Sequence, residues 1–326
     1  MNRTILERPR PRPRLIAPDD IVAGLTGVPR SIPSKYFYDE TGAELFDRIC
    51  ALDEYYPTRT EVGILREHLP EIATWAGRGT RIVEFGSGSG LKTRLLLRSL
   101  DQPREYLPVD INAPQLGDNA ALLRRDFPTL QVTPVPGDYA ARLRLPHNLE
   151  AKRTIIFFPG STIGNFEPAE ALAFLQHARG LAGREGGLVI GVDLKKDRAT
   201  LERAYNDALG VTAAFNLNVL AHVNALADAD FDLSGFEHVA FYNERASRIE
   251  MHLRSSRRQT VTLGGARQGP VVLHLHRGEQ ILTEHSYKYG VEEFRELAAQ
   301  AGFVPRDSWT DARRWFSVQV FDRREL

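Results

Sequence analysis

The sequence predicts a doubly wound α/β fold with a mostly parallel sheet, joined to a second region of α+β type. Three observations lead to this prediction. Short apolar segments alternate with helical segments from about residue 57, a glycine-rich turn follows the first apolar segment, and the pattern between residues 195 and 286 becomes a polar/apolar alternation. Strands separated by helices imply right-handed crossovers and a parallel sheet, whereas alternation is typical of antiparallel strands with one wet face.

The predicted elements follow one another along the chain. After a helix that begins at Pro57, five apolar segments predict strands, at residues 81–85, 105–110, 130–135, 154–158 and 187–193. Helical segments around Ala204 and Val219 then precede alternating strands at 248–253 and 271–275. The chain ends with a predicted helix at 291–301 and apolar strands near Phe303 and at 316–320.

These elements group into three expected parts. Residues 1–19 form an Arg/Pro-rich flexible leader, since alternate prolines in residues 8–14 lack an amide donor and exclude a helix. Residues 57–195 plus 287–326 form a Rossmann-like domain. Residues 20–56 plus 196–286 form the second domain.

Composition and charge favour a small-molecule partner. Lys plus Arg is 42 and Asp plus Glu is 42, so there is none of the basic excess that a nucleic-acid binder needs. The single cysteine, Cys50, excludes an intrachain disulfide and fits a reducing compartment. No apolar run approaches the roughly 18 residues that cross a bilayer. We therefore expect a cytoplasmic protein, a monomer, with neither nucleic acid nor membrane as a partner.

A metal site is not expected. His274 and His276 stand two apart on a predicted strand and would share one face, but no third ligand is evident nearby in the sequence. A solvated strand face explains this pair better.

The glycines at 86, 88 and 90 lie between a predicted strand and a predicted helix. Their backbone amides could approach a ligand closely, beside the positive end of the helix. The dinucleotide fingerprint requires a further glycine at position 91, which is Leu91. The segment 84–90 instead resembles the first motif of class I methyltransferases, so S-adenosylmethionine is favoured over NAD.

Two further acids follow the next strands. Asp110 ends the second strand, where a carboxylate accepts from ribose hydroxyls, and Asp138 with Tyr139 follows the third. Any one of these features alone is better explained as an ordinary strand-to-helix turn. Their common register favours a nucleoside cofactor.

Longer segments resemble the histidine-specific methyltransferases, which make the trimethylated histidine that precedes ergothioneine. The matching segments are residues 35–39, 45–47, 54–61, 160–165, 203–205, 210–216, 249–251 and 282–286. The resemblance runs from about residue 20 to the C-terminus and leaves out the Arg/Pro leader. It implies a class I methyltransferase fold in which the second domain binds the substrate.

The resemblance also implies roles for single residues. Asn165 and Tyr205 would hold the carboxylate and amino group of the substrate, while Glu284 and Ser286 would hold its imidazole. Further substrate contacts are implied for Phe46, Tyr55 and Met251, and cofactor contacts for Gly86, Lys92, Asp110, Asp138 and Tyr139. Tyr38 matches an aromatic residue beside the methyl-transfer zone, so the implied catalytic set is Tyr38, Asn165 and Tyr205.

The activity implied is trimethylation of the α-amino group of L-histidine to hercynine, the histidine betaine, with S-adenosylmethionine as the cofactor. Methylation of another amino acid such as tryptophan is an alternative, although an indole leaves no evident role for Glu284. A dehydrogenase would need a glycine at Leu91. A non-catalytic, cofactor-binding regulatory domain is the alternative without chemistry.

Overall fold

The computed structural model describes residues 17–88, 90–141, 143–146, 151 and 153–323. Ser89 of the glycine-rich turn and residues 1–16 of the expected leader lie outside the described residues. The helices are α1 (Asp19–Thr26), α2 (Glu40–Cys50), α3 (Tyr56–Ala76), α4 (Leu91–Ser99), α5 (Ala113–Asp126), α6 (Pro168–Ala182), α7 (Arg198–Tyr205), α8 (Val211–Ala227) and α9 (Val291–Gln300). Short 3-10 helices span Ser34–Phe37, Thr162–Asn165 and Leu233–Gly235.

The strands form three sheets. They are β1 (Arg30–Ser31), β2 (Arg81–Phe85), β3 (Glu105–Asp110), β4 (Gln131–Val132), β5 (Val135–Pro136), β6 (Thr154–Phe158), β7 (Gly187–Asp193), β8 (Phe236–Asn243), β9 (Arg248–Ser255), β10 (Gln259–Leu263), β11 (Val271–Leu275), β12 (Gln280–Tyr287), β13 (Phe303–Thr310) and β14 (Phe316–Arg323).

The central sheet has the strand order β13-β14-β7-β6-β2-β3-β4, with β5 also paired to β3. The strands from β4 to β7 are parallel, whereas β14 and β13 are antiparallel to their neighbours. Every residue of β2, β6 and β7 is buried, because helices cover both faces. This topology confirms the predicted α/β fold and places a switch point between β2 and β6, where such sheets bind ligands.

One predicted strand is wrong in detail. The segment 130–135 forms two short strands, β4 and β5, instead of one. Pro134 stands between them, and proline has no amide hydrogen with which to continue the ladder.

Two apolar clusters hold the helices against the central sheet. On one face α3, α4 and α5 contribute residues such as Ile64, Leu96 and Leu123. On the other face α6 and α9 contribute Leu175 and Phe294. Among the described residues, no helix is long and apolar enough to span a membrane.

The second region contains a four-stranded sheet, β1-β12-β9-β8, and the hairpin β10–β11. Its core joins the N-terminal segment to α7, α8 and the later strands, as in the stacked rings of Phe37 and Phe215, 4.5 Å apart. The division into two domains stays a prediction. Strand β12 ends at Tyr287, one residue beyond the expected boundary.

Candidate active site

A cavity lies where the second region meets the carboxyl ends of β6 and β7. It is lined by Tyr38, Phe46, Tyr55, Pro57, Gly160, Ser161, Thr162, Asn165, Asp193, Tyr205, Glu284, Ser286 and Lys288. The structure therefore brings together seven of the predicted site residues, Tyr38, Phe46, Tyr55, Asn165, Tyr205, Glu284 and Ser286.

Strand β12 supplies one wall of the cavity. Glu284 and Ser286 are alternate residues of this strand, and together with Lys288, one residue beyond its end, they face the cavity. The pairing of β12 with β9 shifts register between Leu282 and Glu284. At this irregularity the buried Thr283 hydroxyl donates to the carbonyl of Met251, 3.0 Å away. Such a bulge re-aims the side chains that follow it.

The Glu284 carboxylate is partly buried and has few hydrogen-bond partners. Its described hydrogen bond is a long one, 3.4 Å from the Asn165 Nδ2, which donates. Burial raises the pKa of Glu284 to about 7, and the nearby Lys288 ammonium opposes that shift. The carboxylate thus keeps acceptor capacity toward the cavity.

Asn165 ends the 3-10 helix Thr162–Asn165, which packs closely on β12. A side chain at Gly164 would meet the Tyr287 carbonyl at 2.7 Å, so only glycine allows this approach. The close approach explains how Asn165, 119 residues away in sequence, reaches Glu284.

A buried polar network lies beneath Ser286. The Tyr205 hydroxyl donates to Ser286 Oγ at 2.8 Å, and the Lys288 Nζ donates to both oxygens, at 3.1 and 2.7 Å. Asp193, at the carboxyl end of β7, pairs with Lys288 at 2.8 Å and with Lys196 at 2.5 Å. Although burial opposes it, the Asp193 carboxylate holds the pKa of Lys288 above its usual value.

Aromatic rings form the opposite wall. Tyr38 contacts Phe46 edge to face at 5.7 Å between centroids, Phe46 contacts Tyr55 at 6.2 Å, and Tyr55 contacts Tyr205 at 6.4 Å. Phe215 of α8 packs behind Tyr38 and Phe46. Burial, followed by the negative charge of Glu284, raises the pKa of Tyr38 well above its usual value, so this phenol stays protonated.

The predicted cofactor residues gather at the carboxyl ends of β2 and β3. Gly86 has a φ of +71°, and a Cβ there would fill the space that separates the turn from the Tyr139 ring, 3.8 Å away. Burial raises the pKa of Asp110, whose carboxylate accepts from backbone amides of Asn112, Ser87 and Gly88. A side-chain-free cradle with a carboxylate at its edge fits the adenosine part of S-adenosylmethionine.

The remaining cofactor residues connect this cradle to other elements. Asp138 pairs with the Lys35 Nζ at 3.2 Å, and Lys35 also pairs with Asp20 of α1 at 2.8 Å. Lys92 pairs with the buried Glu61 of α3. The Glu61 carboxylate also accepts from the Gly160 amide at 2.9 Å, which joins the cradle to the cavity wall.

Sequence reasoning missed the two charged residues Asp193 and Lys288, and it expected a cavity contact from Met251. Met251 packs in the core of the second region, paired across the sheet with Glu284, and does not line the cavity. Lys288 and Asp193 were not predicted. Their signals were present, because Lys288 shares a strand face with Glu284, and Asp193 ends a parallel strand where site residues collect.

No cluster of three or more histidine, cysteine or acidic side chains suited to a metal ion occurs in the described part of the chain. His274 is exposed on β11, and His276 lies one residue beyond the end of that strand. Both histidines are exposed and alternate with the buried Leu273 and Leu275, so they lie on the same solvated face.

Comparison with known proteins identifies the family. The family described as histidine-specific, S-adenosylmethionine-dependent methyltransferases matches residues 17–323. The histidine N-alpha-methyltransferase of Mycolicibacterium smegmatis is 43% identical over 92% of this chain and 93% of its own length. That of Mycobacterium tuberculosis is 41% identical over the same shares of both chains.

A fungal relative is longer. Ergothioneine biosynthesis protein 1 of Neurospora crassa is 32% identical over 86% of this chain, which corresponds to 32% of the fungal protein. With a family match over nearly all described residues, the chain belongs to the S-adenosylmethionine-dependent, histidine-specific methyltransferases.

Proposed function

We propose that this protein transfers methyl groups from S-adenosylmethionine to the α-amino group of L-histidine, three times, to give hercynine. The observation that carries the proposal is that the cavity has a polar wall opposite an aromatic wall. A carboxylate and a hydroxyl, from Glu284 and Ser286, stand on one strand, while aromatic rings line the opposite wall. The related bacterial proteins carry the name histidine N-alpha-methyltransferase.

The polar end of the cavity suits an imidazole ring. A carboxylate accepts the ring N–H, and a neighbouring hydroxyl offers a second hydrogen bond to the other nitrogen. Glu284 and Ser286 are two residues apart on one strand face, so both reach the same ring. Buried polar groups of this kind reject side chains that would leave them unpaired.

Asn165 and Tyr205 are proposed to hold the carboxylate and the amino group of histidine. An amide and a phenol fix orientation without adding a competing charge. The short Gly164 contact with β12 fixes Asn165, and the bonds to Ser286 and Lys288 fix the Tyr205 hydroxyl. This rigidity is what an in-line displacement requires of the protein, because alignment dominates its rate.

The cofactor supplies an electrophilic methyl group. Gly86, Asp110, Asp138 and Tyr139 would hold its adenosine part, Lys92 would stand beside it, and Tyr38 would face both ligands. Tyr38 lines the cavity with Glu284, and the charges of both Glu284 and Asp110 help to raise its pKa, which supports this placement. The α-amine must lose a proton before each attack, and its ordinary pKa of about 8 leaves a useful neutral fraction at neutral pH.

The aromatic wall accounts for repeated methylation. Each added methyl group makes the ammonium larger and less able to donate hydrogen bonds. The faces of Tyr38, Phe46 and Tyr55 attract such a cation by about 0.5–2 kcal/mol for each well-placed ring. We therefore expect the partly methylated amine to stay bound until the quaternary product forms.

Mass spectrometry of the purified protein with S-adenosylmethionine and an equimolar mixture of the twenty amino acids tests the proposal. We expect histidine alone to gain three methyl groups. Methylation of another amino acid would overturn the assigned roles of Glu284 and Ser286 but not the cofactor site. Cofactor binding without any methylation would favour a regulatory domain, and accumulation of monomethylhistidine would refute repeated transfer.

The proposal extends to a cytoplasmic monomer with two domains, a cofactor domain of residues 57–195 plus 287–326 and a substrate domain of residues 20–56 plus 196–286. Light scattering coupled to size-exclusion chromatography should give the mass of one chain, about 36.6 kDa. A dimer mass would refute the monomer.

A further inference from the structure

Lys288 lies under the cavity with every donor used. It is 2% exposed, and its Nζ lies 2.8 Å from Asp193 Oδ2, 2.7 Å from Ser286 Oγ and 3.1 Å from the Tyr205 hydroxyl. An ammonium group has three N–H donors and no acceptor. The three contacts therefore consume its whole hydrogen-bonding capacity and fix the direction of each bond.

The direction of these bonds determines what Ser286 can offer. Its oxygen accepts from Lys288 and also from the Tyr205 hydroxyl, at 2.8 Å. A serine hydroxyl has two acceptor lone pairs and one proton. With both lone pairs engaged, the proton is what remains for a ligand in the cavity that Ser286 lines.

We propose that Lys288 is a positioning residue that turns Ser286 into an obligate hydrogen-bond donor, so that the cavity selects a ring with one N–H and one bare nitrogen. This inference rests on the proposed function and deepens it. Glu284, two residues away, can only accept when it is ionised. The two residues together specify a neutral imidazole, because an indole or a guanidinium offers donors alone and leaves the Ser286 proton unpaired.

Asp193 holds Lys288 in place from the other side. Its carboxylate also accepts from the Tyr56 hydroxyl at 2.8 Å and pairs with Lys196. Lys196 contacts Tyr56 and Asp193 but lies on the far side of that carboxylate, outside the cavity lining. The two lysines thus share one acid, and Lys288 is the one that reaches Ser286.

A double-mutant cycle between Lys288→Met and Ser286→Ala tests the proposal. We expect Lys288→Met to raise the KM for histidine about 10-fold, the usual cost of a misdirected buried hydrogen bond, with a much smaller change in kcat. In the Ser286→Ala background the same substitution should raise KM less than about 3-fold, because of the two hydroxyl bonds of Lys288 only the longer one, 3.1 Å to Tyr205, is then lost. Additive effects, or a loss confined to kcat, would overturn the proposal.

Lys196→Met is the matched control. It removes one of the two lysines that pair with Asp193 but none of the hydrogen bonds that Ser286 accepts. Its effect on the histidine KM should therefore be the same in both Ser286 backgrounds. If Lys196 and Ser286 were coupled as strongly as Lys288 and Ser286, the effect on the histidine KM would come from the positive charge and not from the direction of the hydrogen bond.

Folding and function need to be separated in this test. If thermal unfolding shows that Lys288→Met does not fold, Asp193→Asn is added to remove the carboxylate that has lost one of its two lysines, and the cycle is repeated in that background with the same expectation. Wild-type protein that does not methylate histidine would refute the proposed function. Wild-type activity combined with additive substitutions would refute only the role of Lys288.

Discussion

Glu84 is buried and Glu284 is partly buried, and the loss of contact with water raises the pKa of each to about 7. Their partners differ. Glu84, in β2, accepts short hydrogen bonds of 2.6 Å from both the Thr93 and the Tyr106 hydroxyls. Glu284 receives one long bond, from Asn165. Glu84 is satisfied by the protein, whereas Glu284 is left to be satisfied by a ligand.

This difference holds for the regions as a whole. The cofactor cradle consists of a turn and two strand ends that are close in sequence, and its acids are bonded to their own backbone or to neighbouring side chains. The substrate cavity combines side chains from segments more than 200 residues apart, and its Glu284 carboxylate receives one long hydrogen bond. A raised pKa therefore does not identify a binding residue, but a buried acid without enough donors does.

The largest effect is expected where the two regions meet, at Asp193. Asp193→Ala leaves Lys288 and Lys196 without their shared carboxylate, and breaking a buried ion pair costs about 3–5 kcal/mol. Urea unfolding should show a loss of this size. Asp197→Ala, which removes only the helix cap that Asp197 provides to the Thr200 amide, should cost about 1 kcal/mol. Equal losses would mean that the network is not held by Asp193.

Glu284→Gln should weaken histidine binding without changing cofactor binding. An amide replaces the acceptor for the imidazole N–H, and we expect the histidine KM to rise about 30-fold, about 2 kcal/mol for a lost charged hydrogen bond. The affinity for S-adenosylmethionine should stay unchanged in calorimetry. Glu250→Gln is the control, since Glu250 bonds to Asn243 and Arg248 outside the cavity. An equal effect on both ligands would refute the comparison.

The pKa of Glu284 also gives a pH dependence. Since the pKa of Glu284 is raised from its usual 4.5 to about 7, the folded protein keeps the Glu284 proton up to a higher pH than the unfolded chain does. Its contribution to stability is therefore greatest below pH 4.5 and is lost between pH 4.5 and 7. We expect Glu284→Gln to remove this loss, which is measured by urea unfolding at pH 5 and pH 8. A wild-type histidine KM that rises between pH 6 and 8 would contradict an ionised Glu284 acceptor.

Asp110→Ala tests the cofactor half. Loss of the ribose acceptor should weaken S-adenosylmethionine binding about 10-fold, about 1.4 kcal/mol, while histidine binding measured with saturating cofactor stays the same. Asp307→Ala, on β13 and paired with Arg306, is the matched control. A larger effect on histidine than on the cofactor would show that the two halves are not separable.

The smallest effect is expected from Glu84→Gln. Glutamine keeps the side-chain volume and can still accept from the Thr93 and Tyr106 hydroxyls, so we expect a change in the free energy of unfolding of about 1 kcal/mol. The histidine KM should not change. A change in KM of the size expected for Glu284→Gln would refute the distinction between the two glutamates.

The two regions were also unequally predictable. The strands at 81–85, 105–110, 154–158 and 187–193 are mostly apolar segments, and the structure confirms their bounds. The strand at 130–135 was wrong because Pro134 interrupts its ladder. The glycine turn and Asp110 follow from local sequence, since strand ends in a parallel sheet share one edge.

The substrate cavity could be predicted only through family resemblance. Tyr38, Asn165 and Glu284 meet because Gly164 allows β12 to approach closely and because α2 and α8 pack together. Neither contact can be predicted from a local sequence pattern. Lys288 was missed because its place in the network depends on Asp193, 95 residues earlier in the chain. Met251 packs into the core beside the cavity, and its substrate contact stays a prediction. The functional roles of these residues remain predictions.

The bridge that Lys35 makes between Asp20 and Asp138 has a thermodynamic consequence. Lys35 links Asp20, in the first helix of the second region, to Asp138 of the proposed cofactor site. A ligand that forms hydrogen bonds with Asp138 therefore also changes the stability of the contact between that helix and the cofactor site. Such linkage is reciprocal. If cofactor binding weakens or strengthens the docking of this helix, docking of the helix changes the cofactor affinity by the same free energy. Hydrogen exchange at residues 19–26 would then report cofactor occupancy from outside the cradle.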